Sequence, residues 1–411
     1  MKRTLIALAA LVLTGTGLAA QNKLELKPYG FFRTYGLFDS RATKSLTEDL
    51  FFFLPLDENN IGGEDLNAVP SWNYQAITTR LGLDAAGYEL CGVKFSGKIE
   101  ADFYSLNGTV GVLRMRQAFM GLDFQNGHSL KIGQTWHPMA ADMAHCINLE
   151  TAAPFSPFNR SAQLQWNWKM NDHFTLTGAA ISHLQYISNG PNGKTNKYQR
   201  HALPELYAGL SYANGGLLAR AGVSVLSLRP NYGYVTDAVT GISKKYDEWF
   251  TTFSPFAYIQ WTNGDFQLKA KTVFAQAADY MQMNSGYAVC SIKDDGFSAE
   301  YTPFRASVSF VSAQYKLSDH WTLMGMVGYH QNLGTAEDII GPVYFSNNGY
   351  ANIDSIVRLT PTVIYNIGKF QLGLEYDLTS VAYGALQADG TVDNTHNVMN
   401  HRLLCMAKLS F

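Results

Sequence analysis

Beyond residue 20 the chain has no apolar run long enough to cross a bilayer as a helix, which needs roughly 18 or more residues. That excludes a helical membrane bundle. Charge is sparse too: 16% of residues are Asp, Glu, Lys or Arg, below the usual quarter or so of a soluble domain. Cys91, Cys146, Cys290 and Cys405 are too few for a disulfide scaffold in 411 residues. The formal charge is −2, so the chain as a whole gives no reason to expect nucleic acid as a partner. There is no nucleophile elbow, no H-E-x-x-H and no Gly-rich phosphate loop. His128, His137 and His145 fall in turns or loops without ligand spacing, and read as solvated residues rather than metal ligands. We expect no enzyme, cofactor or metal. No repeat of propeller-blade period is present.

What is present is aromatic and periodic. Tyr (23) and Phe (24) abound, and aromatics make up 13% of the chain. At the N-terminus, Lys2 and Arg3 precede an apolar run from Leu5 to Leu13, and Gly17-Leu18-Ala19-Ala20 offers small residues for cleavage before Gln21. Residues 1–20 read as a secretory signal peptide, with no cysteine near the site for lipid anchoring, and 21–411 as a single domain. At the C-terminus, Leu403, Cys405, Ala407, Leu409 and Phe411 form an apolar face, while Arg402, Lys408 and Ser410 lie on the other. Period 2 predicts a strand with one face in an apolar medium and one near water.

The same alternation recurs. Between Cys91 and Phe103, odd positions are apolar or small and even positions carry Lys94, Lys98, Glu100 and Asp102. Asn126-Gly127, Asn214-Gly215 and Asn263-Gly264 read as two-residue hairpin turns. Such a turn pairs residue 125 with 128, so Arg114 and Arg116 before it share a face with Lys131 after it. Likewise Tyr258 and Gln260 share a face with Lys269 and Lys271. Tight connections fall near Gly87, Asn126, Asn171, Asn214, Asn263, Ser318 and Ile367. Longer ones run over 40–71, 137–161, 184–203, 229–247, 278–302, 331–355 and 384–397, with a short one at 105–109. Seven turns and eight loops predict an all-β fold: a closed transmembrane antiparallel β-barrel of about 16 strands. A secreted sandwich or propeller fits this asymmetry poorly.

The predicted lumen face is basic. Arg33, Arg80, Lys94, Lys98, Arg114, Arg116, Lys131, Lys169, Arg220, Lys269, Lys271, Arg305, Arg358, Arg402 and Lys408 stand against Asp84, Glu100, Asp102, Glu205, Glu375 and Asp377. A basic wall around a narrow aqueous path favours anions. Acids concentrate instead in the first loop, at Glu48, Asp49, Asp57, Glu58, Glu64 and Asp65. A three-residue loop at 107–109 sets Asp102 opposite Arg114 and Glu100 opposite Arg116. Two readings follow. Cross-strand ion pairs stiffen the wall, or Arg80, Lys98, Arg114, Arg116 and Lys131 offer donors to a passing anion, with Glu100 and Asp102 holding them. Arginine suits carboxylate or phosphate because its planar fork grips two oxygens.

The terminal aromatic strand resembles the closing strand of outer-membrane barrels. Three stretches, Gly97 to Phe103, Leu113 to Phe119 and Gly133 to Trp136, resemble the DcaP-like outer-membrane porins. Arg80-Leu81-Gly82 and Pro157-Phe158-Asn159-Arg160-Ser161 look like that group as well, so the similarity covers about residues 80–170. The resemblance implies 16-stranded homotrimers that pass small anions, dicarboxylates included. They sit among outer-membrane lipid and lipopolysaccharide, with short periplasmic turns, long extracellular loops and a third loop, here 137–161, narrowing the pore. Those porins often carry an N-terminal coiled coil, whereas here the first strand starts within a few residues of Gln21. The leading expectation is a passive porin. A surface adhesin or structural barrel is second and a barrel hydrolase third. Cys146 and Cys290, both in long loops, are expected to pair, with Cys91 and Cys405 as free outward thiols.

Overall fold

The structure is a computed structural model that describes residues 24–106, 109–148, 152–183, 185–191, 203–231, 234–236, 239–245, 248–293, 298–346 and 349–411. The expected signal peptide lies outside the described residues. Eighteen sheet segments form sixteen barrel strands, because two strands are interrupted. In chain order they are β1 (Glu25–Asp39), β2 (Ser71–Gln75 and Arg80–Leu90), β3 (Val93–Leu106), β4 (Thr109–Asp123) and β5 (His128–Trp136). Then come β6 (Arg160–Lys169), β7 (Phe174–Ser182), β8 (Glu205–Asn214), β9 (Leu217–Leu228), β10 (Phe250–Asn263) and β11 (Phe266–Gln276). The last are β12 (Arg305–Lys316), β13 (Trp321–Asn332), β14 (Ile353–Leu359 and Thr362–Ile367), β15 (Phe370–Leu386) and β16 (Val392–Ser410). Every strand pairs antiparallel with its chain neighbours, and β1 closes the barrel on β16 from Phe31↔Ser410 to Asp39↔Arg402. Closure pairs the first strand with the last, so the sheet has no terminal strand left open to lipid. β14 breaks at Thr360-Pro361, where proline has no donor for the ladder.

The period-2 pattern decides which face meets lipid. In β16, Asn400, Arg402 and Leu404 are buried while His401, Leu403, Cys405 and Leu409 are exposed. Around the barrel Leu81, Ile99, Leu210, Ile259, Val327 and Leu374 project outward. So much contiguous exposed apolar surface would be untenable in water and is satisfied by a bilayer. Trp168, Trp261, Tyr315, Trp321 and Phe411 are exposed near the short-turn rim, as an interfacial girdle requires.

All seven short turns are present, in two kinds. Cys91-Gly92, Gly215-Gly216, Gly264-Asp265 and Gly368-Lys369 are two-residue turns. Residues 124–127, 170–173 and 317–320 make four-residue turns. Asn171 Oδ1 accepts from the backbone of His173 and Phe174 in one, and Ser318 Oγ accepts from His320 and Trp321 in another. The first turn is therefore at Cys91-Gly92 rather than near Gly87, which sits at a bulge where the β2–β3 register shifts. Cys91 thus belongs to a turn, not a strand.

We number the connections at the opposite rim L1 (40–70), L2 (107–108), L3 (137–159), L4 (183–204), L5 (229–249), L6 (277–304), L7 (333–352) and L8 (387–391). L8 is shorter than the sequence suggested, because β15 and β16 extend past the wall as a paired hairpin. The loops do not stand clear of the barrel. L1, L3 and L6 fold inward and form one apolar core with the wall: Phe53 and Leu54, Phe155 and Phe158, Tyr280 and Met281 pack with Phe256, Phe310, Ile356 and Val381. Gly328 of β13 is where the Phe155 ring seats, and a Cβ there would lie 2.4 Å from that ring. None of the four cysteines is in a disulfide. Cys146 is buried in the core, its thiol donating to Asn148 O at 3.3 Å, so the expected pairing with Cys290 is not formed. Cys91 and Cys405 are exposed as anticipated.

Candidate functional site: a cation-lined constriction

L3 crosses the lumen from β5 to the far wall, tethered by charge at each step. Asp142 pairs with Arg220 of β9 and lies 3.9 Å from Lys271 of β11. Lys269 donates to Met143 O at 2.9 Å and Ser312 Oγ accepts from His145 N at 3.2 Å. The backbone N–H groups of Ile147 and Asn148 both donate to Glu375 of β15. L1 is held the same way. Arg358 donates to Phe53 O at 2.6 Å and to Phe52 O at 3.4 Å. Arg402 grips Asp39 bidentately at 2.8 and 2.7 Å and reaches Asp49 O. Several cations expected to face open water are thus spent on loop carbonyls and carboxylates. The sequence could not show this, because a tether looks like a lumen charge until the loop's path is known.

One carboxylate gathers three connections. Glu205, fully buried at the start of β8, pairs with His137 Nε2 of L3 at 3.1 Å and with His183 of L4. It also accepts from Tyr280 OH of L6 at 2.9 Å and from Ser224 of β9. His137 and His145 are therefore buried partners of the loop fold and not solvated residues. No cluster able to hold a metal occurs among the described residues.

L6 carries a titrating group of its own. Burial pushes the Asp279 carboxyl up to about 7, against hydrogen bonds from Ser188 Oγ and the backbone N–H groups of Asn189, Tyr280 and Ser346. A folded-state value raised above the unfolded one means the fold binds that proton more tightly. Its stability contribution is complete below about pH 4 and is lost as pH rises to about 7, by at most roughly 4 kcal/mol. Asp279→Asn keeps the oxygen acceptor without the charge. Its melting temperature should exceed that of the wild type at pH 8 and match it at pH 4. Equal pH slopes in thermal melts would refute this.

The predicted site residues of β2, β3 and β4 come together as an arginine–carboxylate ladder. Arg114 grips Asp102 bidentately at 2.9 and 3.0 Å. Arg116 bridges Glu100 and Asp102, 2.8 Å from each. Arg80 lies 4.0 Å from Glu100. Lys98 pairs with Asp84 at 2.7 Å and donates to Tyr29 OH, which in turn donates to Glu100. Asp102 faces Arg114 in register, but Glu100 faces Gln117, because a bulge shifts the ladder between Glu100 and Ala101. Arg116 sits in that bulge and still reaches Glu100.

That bulge explains Lys131. The turn at 124–127 pairs Ser129 with Asp123, one residue off the two-residue hairpin expected at Asn126-Gly127. Alone, this shift would turn Lys131 outward. The bulge in β4 supplies a second one-residue shift, so Lys131 stays on the lumen side, over the Phe119 ring at 5.1 Å. Around the Gly264-Asp265 turn, Tyr258↔Lys271 and Gln260↔Lys269 pair with the expected parity.

A narrow space lies between this wall and the loops. Arg33 of β1, Arg80 of β2 and Arg116 of β4 face Leu50 and Phe51 of L1 and Ile147 and Phe158 of L3, with Trp136 at one side. The gap is about 30 Å³, room for only a few waters. Arg33 sends Nε and Nη2 to Thr78 Oγ1 at 3.2 and 2.9 Å. The aromatic and aliphatic half of this constriction was missed from sequence, since Phe51 and Phe158 are read as loop residues until L1 and L3 fold back. Arg160 was missed as a site residue too, although it lies in one of the stretches that carried the resemblance.

No protein-family model matches the chain, and no curated protein matches its sequence. Solved structures do match. The outer-membrane channel DcaP of Acinetobacter baumannii aligns at TM-score 0.68 and 19% identity, over 96% of this chain and 100% of its own. The anion-selective porin from Comamonas acidovorans aligns at 0.57 and 10%, over 95% and 100%. OmpT of Vibrio cholerae, in its trimer form, aligns at 0.53 and 14%, over 94% and 99%. These identities speak to architecture, and the chain has the fold of the 16-stranded outer-membrane porins.

Proposed function

We propose that this protein is a passive outer-membrane channel for small hydrophilic anions, with dicarboxylate-like solutes as the class that fits best. The observation that carries this is the constriction, where three guanidiniums converge on one side and the opposing loops contribute apolar surface with no carboxylate among its lining residues. Two oxygens of a planar anion match one guanidinium fork, and a second carboxylate can engage the next arginine along. The short turns face the periplasm and L1–L8 the outside, within lipid and lipopolysaccharide. The trimer form of the Vibrio relative and the anion selectivity of the Comamonas one support a homotrimeric anion channel. An adhesin or structural barrel has no use for a cation-lined constriction. Zero-current potential of the purified protein in a planar bilayer under a salt gradient tests the reading. Anion preference in the wild type, reduced in Arg80→Ala, is expected. Cation preference, or no conductance at all, would overturn it.

A further inference from the structure

The wall is not closed along its whole height. β4 pairs with β3 from Asp123 back to Thr109, but with β5 only from Asp123↔Ser129 to Ala118↔Gln134. Beyond that rung, Gln134 Nε2 donates to Met115 O at 3.3 Å and to Arg116 O at 3.2 Å. Further along, β4 has no strand pairing on that side among the described residues. A crevice of 430 Å³ follows this edge, bounded by Tyr104, Leu113, Arg114 and Met115 of the wall and by Gln185 and Tyr186 of L4. Four consecutive β4 residues, Val112 to Met115, line it. Neighbours on a pleated strand point to opposite faces, so the crevice wraps the edge and joins the lipid side to the lumen side. Leu113 and Met115, 61% and 50% exposed, form its outer part, and Arg114 its inner part.

Behind Gln185 stands Arg160, 0% exposed. Its Nε donates to Gln185 Oε1 at 3.2 Å and its guanidinium covers Trp136 at 4.7 Å. Arg160 Nη1 and Nη2 and Arg114 Nη1 are buried without hydrogen-bond partners among the described residues. Asp102 is already taken up by Arg114 and Arg116. A buried guanidinium with unsatisfied donors is costly. What fits is an anion, and the crevice leading to it is apolar and within the size range of small-molecule sites.

We infer that the crevice between β4 and β5 is a lateral site for a medium-chain fatty acid anion. Its carboxylate rests on Arg114 and Arg160 in place of the Gln185 contact, and its tail runs outward along Leu113 and Met115. This site is separate from the axial constriction, and its occupancy does not depend on the selectivity of the pore. The test uses the full protein in lipid nanodiscs, with dodecanoate as probe and dodecanol and acetate as controls lacking charge and tail. Dodecanoate should raise the melting temperature and bind saturably, and both controls should bind at least tenfold more weakly. Arg160→Met removes an unpaired buried charge, so it should fold at least as stably without ligand yet bind dodecanoate at least tenfold more weakly. Met115→Trp, which fills the outer crevice, should weaken binding similarly and covers the case in which Arg160→Met fails to fold. Equal binding of dodecanol, or undiminished binding in Met115→Trp, would overturn the inference. So would a neighbouring copy of the chain seated in the crevice.

Discussion

Replacing Arg114 and Arg116 together by alanine is expected to collapse the anion preference of the channel and to cost about 3–5 kcal/mol of stability. Asp102 is 0% exposed, and both its oxygens are held by these two side chains. Without them, Asp102 loses the two side chains that hold its oxygens while Glu100 keeps Tyr29, Gln117 and the more distant Arg80, and the field of the uncovered carboxylates repels anions where water is scarce. The two consequences separate experimentally. Adding Glu100→Gln and Asp102→Asn removes the stranded charges and should restore most of the lost stability in denaturant titrations. Ion preference is read from the zero-current potential across a salt gradient. If the folded double variant keeps the wild-type potential, the arginines only brace the wall.

Glu205→Gln should loosen three loops at once. Its carboxylate is the common partner of His137, His183, Tyr280 and Ser224, all on different connections or strands. Neutralising a buried acceptor shared by four side chains weakens hydrogen bonds worth about 1.5–3 kcal/mol each. Here the loss falls on the packing of L3, L4 and L6 more than on the wall, whose ladder hydrogen bonds remain. The expected result is a barrel that still folds, with a lower melting temperature, noisier open-channel current and faster protease cleavage within L3. A variant with wild-type current noise and unchanged cleavage would show that the apolar core alone holds the loops. That core is extensive, since Phe155, Phe158, Tyr280 and Met281 are all buried in it, so the comparison weighs one charge cluster against a packed interior.

The barrel was legible because its rules are local. Alternation along β16 and seven short turns set against eight loops are each written within a few residues, and together they determine closure and strand number. The pairing of Asp102 with Arg114 was reached by a different route: Leu106 pairs with Thr109, one residue tighter than the three-residue loop expected at 107–109, and a bulge between Tyr104 and Leu106 restores the register. Lys131 shows the limit. Its lumen position follows from a four-residue turn and a bulge whose shifts cancel, and neither carries a signature that parity counting can detect. Gly87 misled likewise, because a glycine at a bulge and a glycine in a turn are alike in sequence.

The sequence by itself determined the membrane barrel, which face of each strand meets lipid, and the basic character of the wall. Only the tertiary structure decided what that wall encloses. L1, L3 and L6 turn inward because their aromatic and aliphatic side chains find apolar wall positions such as Phe256, Phe310 and Val381 to cover, and this burial is favourable for any residue that reaches it. Once inside, their backbone groups and acids claim Arg358, Arg402, Lys269 and Lys271, leaving the constriction to Arg33, Arg80 and Arg116. A strand announces its face every second residue. A loop's destination depends on contacts hundreds of residues away, such as Phe53 with Arg358, and no local pattern encodes those.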